Sequence, residues 1–105
     1  NGVDSSVAGG SSTSGSASIT VSGANNTVNL GQVGTGNSFT ASITGNTNGV
    51  SDNQTGGGNS TTALTISGSS NAANITQTSS SGTNNTLNMK VTGSANTTTI
   101  TQNGH

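Results

Sequence analysis

The stretch that decides the fold is G-S-S-N-A-A-N-I-T-Q, residues 68–77, because the same frame occurs four times along the chain. In each copy a Gly is followed by Asn three residues later and by Gln nine residues later. The copies begin at residues 23, 45, 68 and 93, so consecutive copies start 22, 23 and 25 residues apart. A fixed period of this size is typical of repeat proteins such as solenoids.

Apolar and polar residues alternate on both sides of each of these glycines, which is the pattern of a strand with one buried face. Before Gly23, Ile19 and Val21 alternate with Ser and Thr, and after it Val28 and Leu30 alternate with Thr and Asn. Gly and Asn tolerate positive φ, so the segment between the two runs predicts a tight turn. Each repeat is therefore predicted to be strand, turn, strand and turn, and the chain to be an all-β solenoid.

The four repeats are predicted over residues 15–32, 37–54, 59–77 and 84–102, within one domain that covers residues 15–105. Residues 1–14 are rich in Gly and Ser, with Val3 and Val7 as their only sizeable apolar residues. Two interpretations of this segment are open. It is either a flexible leader or a docking segment that adds a weak strand to the first repeat or to a neighbouring molecule.

A single repeat would be a marginal two-stranded arch, so the repeats are expected to stack in register, about 4.8 Å apart, as in a cross-β fibre. Equivalent inward amides would then hydrogen-bond along the stack and satisfy groups that would otherwise be buried unpaired. The predicted amide ladders are Asn26, Asn48, Asn71 and Asn96, and Gln32, Gln54, Gln77 and Gln102. The predicted turn glycines are Gly23, Gly45, Gly68 and Gly93, with Gly34 and Gly56 at the other turn. The predicted core is Ile19, Val21, Val28, Leu30, Phe39, Ile43, Val50, Leu64, Ile66, Ile75, Leu87, Met89, Val91 and Ile100.

The composition argues against several classes of function. Of the 105 residues 3% are charged, 1% are aromatic and none is Cys or Pro. No basic patch favours nucleic acid, and no apolar run has membrane-spanning length. With His105 as the only His and Asp4 and Asp52 as the only acidic side chains, we expect neither catalysis nor a metal or cofactor site. The chain begins at Asn1 without a signal-like stretch, so we interpret it as a processed segment.

Two charged residues are possible gatekeepers against unwanted strand pairing. Lys90 falls on the outward phase of its strand and is expected to be a solvated surface residue. Asp52 falls on the inward phase, where a carboxylate would be costly unless it were neutral or hydrogen-bonded. We therefore expect the strand to bulge near residues 50–53 so that the carboxylate reaches water, with a deliberate brake on assembly as the alternative.

The repeats resemble the curlin repeat of bacterial curli, a secreted functional amyloid of biofilms. Gly23-x-x-Asn26-x-Val28-x-x-x-Gln32 and Gly68-x-x-Asn71-x-Ala73-x-x-x-Gln77 match the second half of that family's pattern, and the resemblance extends over residues 15–102. Gln32-x-Gly34-x-x-Asn37 and Gln54-x-Gly56-x-x-Asn59 are similar to its first half, at the other turn. The family has a second Gln two residues before the main-turn Gly, where this chain has Val21, Ile43, Ile66 and Val91.

The resemblance implies a self-assembling structural subunit of an extracellular, curli-like amyloid fibre that serves a biofilm or an adhesive matrix. Its partner would be the chain itself, polymerising head to tail by edge-strand stacking, with a nucleator as a possible second partner. One alternative is a phage or virion fibre or surface-decoration protein, which would have a capsid or tail partner. A minor alternative is an ice-binding solenoid, although the outward column Thr27, Gly49, Ala72 and Thr97 is irregular.

Overall fold

A computed structural model describes residues 3–7 and 15–104 of the chain. His105 and the part of the N-terminal leader at residues 1–2 and 8–14 lie outside the described residues. The strands are β1 (Val3–Val7), β2 (Ser16–Ser22), β3 (Asn26–Gly34), β4 (Ser38–Thr44), β5 (Gly49–Gly56), β6 (Ser60–Ser67), β7 (Ala72–Ser79), β8 (Asn85–Thr92) and β9 (Thr97–Asn103).

The strands form two parallel sheets, which confirms the predicted all-β solenoid. Sheet A has the order β1-β3-β5-β7-β9 and sheet B the order β2-β4-β6-β8. Each turn of the solenoid, called a rung here, therefore contributes one strand to each sheet: β2 and β3, β4 and β5, β6 and β7, β8 and β9. The register keeps equivalent repeat positions together, since Gln32 lies opposite Gln54, and Gln54 opposite Gln77.

The core lies between the two sheets and follows the predicted inward phase. Along β3 every second residue from Asn26 to Gln32 is buried, while Thr27 and Asn29 are exposed. Because both sheets are parallel and in register, each inward residue stacks on the equivalent residue of the next rung. The buried apolar side chains are Val28, Leu30, Phe39, Ala41, Ile43, Val50, Leu64, Ile66, Ala73, Ile75 and Val91.

The main turns of the first three rungs require a glycine because the next rung stacks closely on each of them. Gly45 has φ +123°, and a Cβ added to it would lie 1.8 Å from the carbonyl oxygen of Gly68 in the next rung. Two residues after each main-turn Gly, a non-Gly residue adopts a left-handed conformation with φ between 57° and 59°. Those residues are Asn25, Thr47, Ser70 and Ala95.

Replacing Gly45 by Ala is therefore expected to lower the free energy of unfolding by about 3 kcal/mol or more, because backbone strain at positive φ adds to a steric clash. Gly49→Ala is the matched control, since a Cβ there meets nothing within 4 Å and the equivalent residue of the next rung is Ala72. The control should change stability by less than about 0.5 kcal/mol. Urea unfolding of the two variants, compared with the parent chain, measures both values, and equal stabilities would contradict the prediction.

Part of the N-terminal leader adds a strand to the solenoid. Strand β1 pairs with β3 in parallel register, from Val3 opposite Asn26 to Val7 opposite Leu30. Among the described residues, sheet A consequently has five strands and sheet B four. The sequence left two interpretations open for residues 1–14, a flexible leader and a docking segment that adds a strand. Residues 3–7 form such an added strand.

Candidate functional site

The asparagine column at the main turn is a continuous hydrogen-bonded ladder. Asn48 Nδ2 donates to Asn26 Oδ1 at 3.0 Å, Asn71 Nδ2 to Asn48 Oδ1 at 3.1 Å, and Asn96 Nδ2 to Asn71 Oδ1 at 2.9 Å. The backbone N–H of the Asn in the following rung donates to the same oxygen, as Asn48 N does to Asn26 Oδ1 at 2.9 Å. In the first three rungs Nδ2 also donates to a carbonyl of the next main turn, as Asn48 Nδ2 does to Gly68 O at 2.9 Å.

The glutamine column forms a second ladder. Gln32 Nε2 donates to Gln54 Oε1 at 2.8 Å, Gln54 Nε2 to Gln77 Oε1 at 3.1 Å, and Gln77 Nε2 to Gln102 Oε1 at 3.0 Å. The same nitrogens cross the core to backbone carbonyls of sheet B, which fixes the orientation of each amide. Those carbonyls belong to Ser16, Ser38, Thr61 and Thr86.

The two ladders run in opposite directions along the solenoid. In the Gln ladder each amide donates toward the C-terminal rung, whereas in the Asn ladder each donates toward the N-terminal rung. At the C-terminal rung, Gln102 Nε2 has no further Gln to donate to, and Asn96 Oδ1 has no hydrogen bond within residues 15–104. At the N-terminal rung the direction is reversed: within residues 15–104, Gln32 Oε1 accepts no hydrogen bond and Asn26 Nδ2 donates only to Gly45 O.

The end rungs also leave apolar side chains incompletely covered. Inside the stack, Ile43 and Ile66 are 1% and 0% exposed. In the same column at the two ends, Val21 is only partly buried and Val91 is 8% exposed. The half-buried predicted core residues are Ile19 and Val21 at one end and Leu87, Met89 and Ile100 at the other. The C-terminal end therefore presents two strand edges together with amide groups and apolar side chains, whereas the N-terminal end presents the edge of β2 and has β1 on the edge of β3.

The prediction that the strand bulges at Asp52 is wrong. Strand β5 keeps unbroken register on both sides, with Leu30 opposite Asp52 and Asp52 opposite Ile75. The side chain is 1% exposed, and neither carboxylate oxygen has a hydrogen-bond partner. Desolvation by burial raises the pKa of Asp52 to about 6. The hydroxyl of Thr62 and the backbone amide of Asn53 lower this pKa to a smaller extent, without reaching hydrogen-bond geometry.

The other predicted gatekeeper, Lys90, is exposed on β8, the last strand of sheet B. Its register neighbour is Thr65, which is also exposed. On sheet A, the column Thr27, Gly49, Ala72 and Thr97 lies in register. A charged side chain on the last strand of sheet B therefore lies beside an edge that is open for pairing.

Some buried polar residues do not follow from the repeat pattern of the sequence. Thr62 replaces Phe39 at the equivalent point of the next rung, where its hydroxyl donates to Gln77 Oε1 at 2.9 Å and accepts from Gln54 Nε2 at 3.2 Å. At the second turn, Asn37, Ser60 and Asn85 are buried, whereas Asn59 is exposed. The extra Gly in the run at residues 56–58 makes this turn one residue longer than the equivalent turn of the previous rung, so Ser60 rather than Asn59 takes the buried position. In the sequence, only the alternation of β6 could have revealed this shift.

The fold and these ladders define a two-sheet parallel β-solenoid whose candidate functional surfaces are its two ends. Comparison with protein-family models, with curated proteins and with solved structures found no match to the chain. Within the described ranges 3–7 and 15–104 there is no helix that could span a membrane. The same ranges contain no group of three or more His, Cys, Asp or Glu side chains that could hold a metal ion.

Proposed function

We propose that the chain is a self-assembling structural subunit that polymerises head to tail into a fibre. The observation that carries the proposal is the complementarity of the two ends. The C-terminal rung offers the Gln102 Nε2 donor and the Asn96 Oδ1 acceptor, and the N-terminal rung offers the Gln32 Oε1 acceptor and the Asn26 Nδ2 donor. Stacking one end on the other would extend both ladders with the donors and acceptors correctly paired.

Like ends do not match in this way. Two C-terminal rungs that face each other would be related by a two-fold axis, so β9 would meet β9 in antiparallel orientation and neither amide column would continue in register. Stacking of unlike ends keeps both ladders paired, and buried amide groups without partners are costly, at about 1–3 kcal/mol each. The ladders therefore favour an open, polar stack over a closed dimer, and an open heterologous contact generates filaments.

The terminal Asn provides a further indication. Asn48 and Asn71 each donate to a main-turn carbonyl of the following rung, at 2.9 Å and 2.8 Å. Asn96 has no following rung and its Nδ2 bonds Thr92 O of its own turn at 3.3 Å instead. A second copy would supply the missing carbonyl from its Gly23, which is the equivalent main-turn glycine. The proposed setting, an extracellular, curli-like amyloid fibre of a biofilm or adhesive matrix, rests on the resemblance of the repeats to the curlin repeat.

The test is cryo-electron microscopy of the purified chain in neutral buffer, with the axial repeat as the readout. We expect unbranched filaments with a layer spacing of about 4.8 Å, in which each subunit contributes its rungs to one continuous stack. Chains that remain monomeric at high concentration would refute self-assembly. Filaments that form only with a capsid or tail protein would favour the virion alternative.

A further inference from the structure

The N-terminal end of the solenoid is uneven because β1 covers one sheet and not the other. Strand β1 lies on the outer edge of β3, whereas no strand lies beyond β2 in the part of the chain that the structure describes. A second copy that stacks its last rung on this end needs both edges, since that rung consists of β8 in sheet B and β9 in sheet A. The edge of β3 is therefore already occupied.

We propose that β1 is a displaceable cap: it holds the edge of β3 that β9 of a second copy takes in the fibre, and it leaves when that copy docks. This inference rests on the proposed head-to-tail assembly and deepens it by naming the surface and its regulation. The occupant of the surface is a second copy of this chain.

Strand β1 pairs with only part of the edge of β3. It has 5 residues against the 9 of β3, and its pairing ends at Leu30, before Gln32 is reached. Its sequence, V-D-S-S-V, contains no Asn or Gln, and Val3 lies in register with Asn26. Neither amide ladder can therefore be continued by β1.

Strand β9 fits the same edge over its whole length. Within the chain, β7 pairs with β9 so that Ile75 lies opposite Ile100 and Gln77 opposite Gln102. Applying that register to β3 of a second copy places Gln102 opposite Gln32 and Ile100 opposite Leu30. The incoming strand supplies the Gln amide that β1 lacks. Its pairing with β3 also covers one apolar residue of each copy, Ile100 of the incoming one and Leu30 of the other.

The open edge of β2 gives the incoming copy a place to start. By the register of sheet B, β8 docking on β2 brings Met89 opposite Ile19 and Val91 opposite Val21. All of these side chains lie at the ends, and three of them are only partly buried in the free subunit. Docking in sheet B can therefore precede exchange of β1 for β9 in sheet A.

The alternative is that β1 stays and β9 of the second copy pairs with β1 itself. Sheet A would then be continuous, but sheet B would lack a strand at that level. Strands β8 and β2 would be separated by two layers, about 9.6 Å, and their edges and apolar side chains would stay uncovered. Exchange avoids this gap, which is why we favour it.

A reversible disulfide lock tests the proposal, since the chain has no Cys of its own. Ser6 and Asn29 are register partners on β1 and β3, so the double variant Ser6→Cys/Asn29→Cys holds β1 in place when oxidised. The matched control is Ser51→Cys/Asn74→Cys, which links the adjacent internal strands β5 and β7 in the same column. Elongation of sonicated parent fibres is followed by light scattering with each variant, oxidised and reduced.

We expect the oxidised lock not to elongate seeds beyond one subunit per N-terminal fibre end, because a locked subunit can add through β8 and β9 but then blocks the next addition. Reduction should restore the parent rate, and the control should elongate in both states. A variant that lacks residues 1–14 should assemble with a shorter lag than the parent chain. Such acceleration would show that β1 restrains assembly even if the lock disturbed β3.

Two results would overturn the inference. Elongation of the oxidised lock at the parent rate would mean that β1 stays in place, and failure of the two thiols to oxidise would contradict the pairing of β1 with β3. Either result leaves the proposed function standing if the parent chain still forms fibres. A parent chain that forms none would instead refute the proposed function itself.

Discussion

Asn48→Ala is expected to lower the free energy of unfolding by about 4 kcal/mol, because one substitution leaves several buried groups without partners. Asn48 Nδ2 donates to Asn26 Oδ1 and to Gly68 O, and Asn48 Oδ1 accepts both the backbone N–H and Nδ2 of Asn71. The side chains of all three asparagines are 0–1% exposed, so water cannot replace the lost bonds. Chemical unfolding of monomeric protein at low concentration gives the measurement.

Asn53→Ala on the same stretch of chain is the control for this prediction. Asn53 is exposed on the outward face of β5, so its truncation should change stability by less than about 0.5 kcal/mol. Similar losses for the two variants would mean that the ladder adds nothing beyond the strand propensity of Asn. The ladder would then not explain why the frame places Asn three residues after each main-turn Gly.

Asp52→Ile is expected to raise the free energy of unfolding at pH 7 by about 3 kcal/mol or more. The folded pKa of Asp52 is about 6 against an ordinary value of 3.8, so the folded state binds more protons than the unfolded state between these values. Stability of the parent chain should therefore fall as pH rises from about 4 to 6 and level off above it, by about 3 kcal/mol in total. Isoleucine suits the site because Ile75 follows it in the same column.

Thermal unfolding of the parent chain and the variant at a series of pH values measures this effect. Asp52→Asn separates charge from apolarity, since it removes the titration but leaves a buried polar group. Both variants should lose the pH dependence in this window, and only Asp52→Ile should gain the full stability at pH 7. A parent chain equally stable at pH 4 and pH 7 would contradict the assignment of a buried, desolvated carboxylate.

The period and the phase of the sequence were sufficient to predict the solenoid and most of its inward apolar residues. Strict alternation gave the buried face of β3, and the recurrence of Gly, Asn and Gln gave the register between rungs. The direction of the ladders could not be predicted, because residue type does not say which end of an amide faces a carbonyl. That orientation depends on backbone groups such as Ser38 O, which only the folded structure brings across the core.

Asp52 shows where reasoning from single residues failed. The desolvation of one carboxylate costs about 3 kcal/mol, which argues for a bulge if the strand is considered alone. Strand β5 is paired on both sides, so a bulge would disrupt the backbone hydrogen bonds to β3 and to β7 at once. The backbone hydrogen bonds to two neighbouring strands outweigh the free-energy cost of burying one carboxylate. That comparison requires knowing that β5 is an internal strand.

The opposed directions of the two amide ladders have a consequence for fibre length. In an α-helix the peptide dipoles align and sum to partial charges at the two ends. Here the amide dipoles of the Asn ladder point against those of the Gln ladder, so each added rung contributes two side-chain dipoles that largely cancel. Growth therefore builds up no end-to-end dipole from the side-chain columns, so these columns add no electrostatic cost that increases with the length of the fibre.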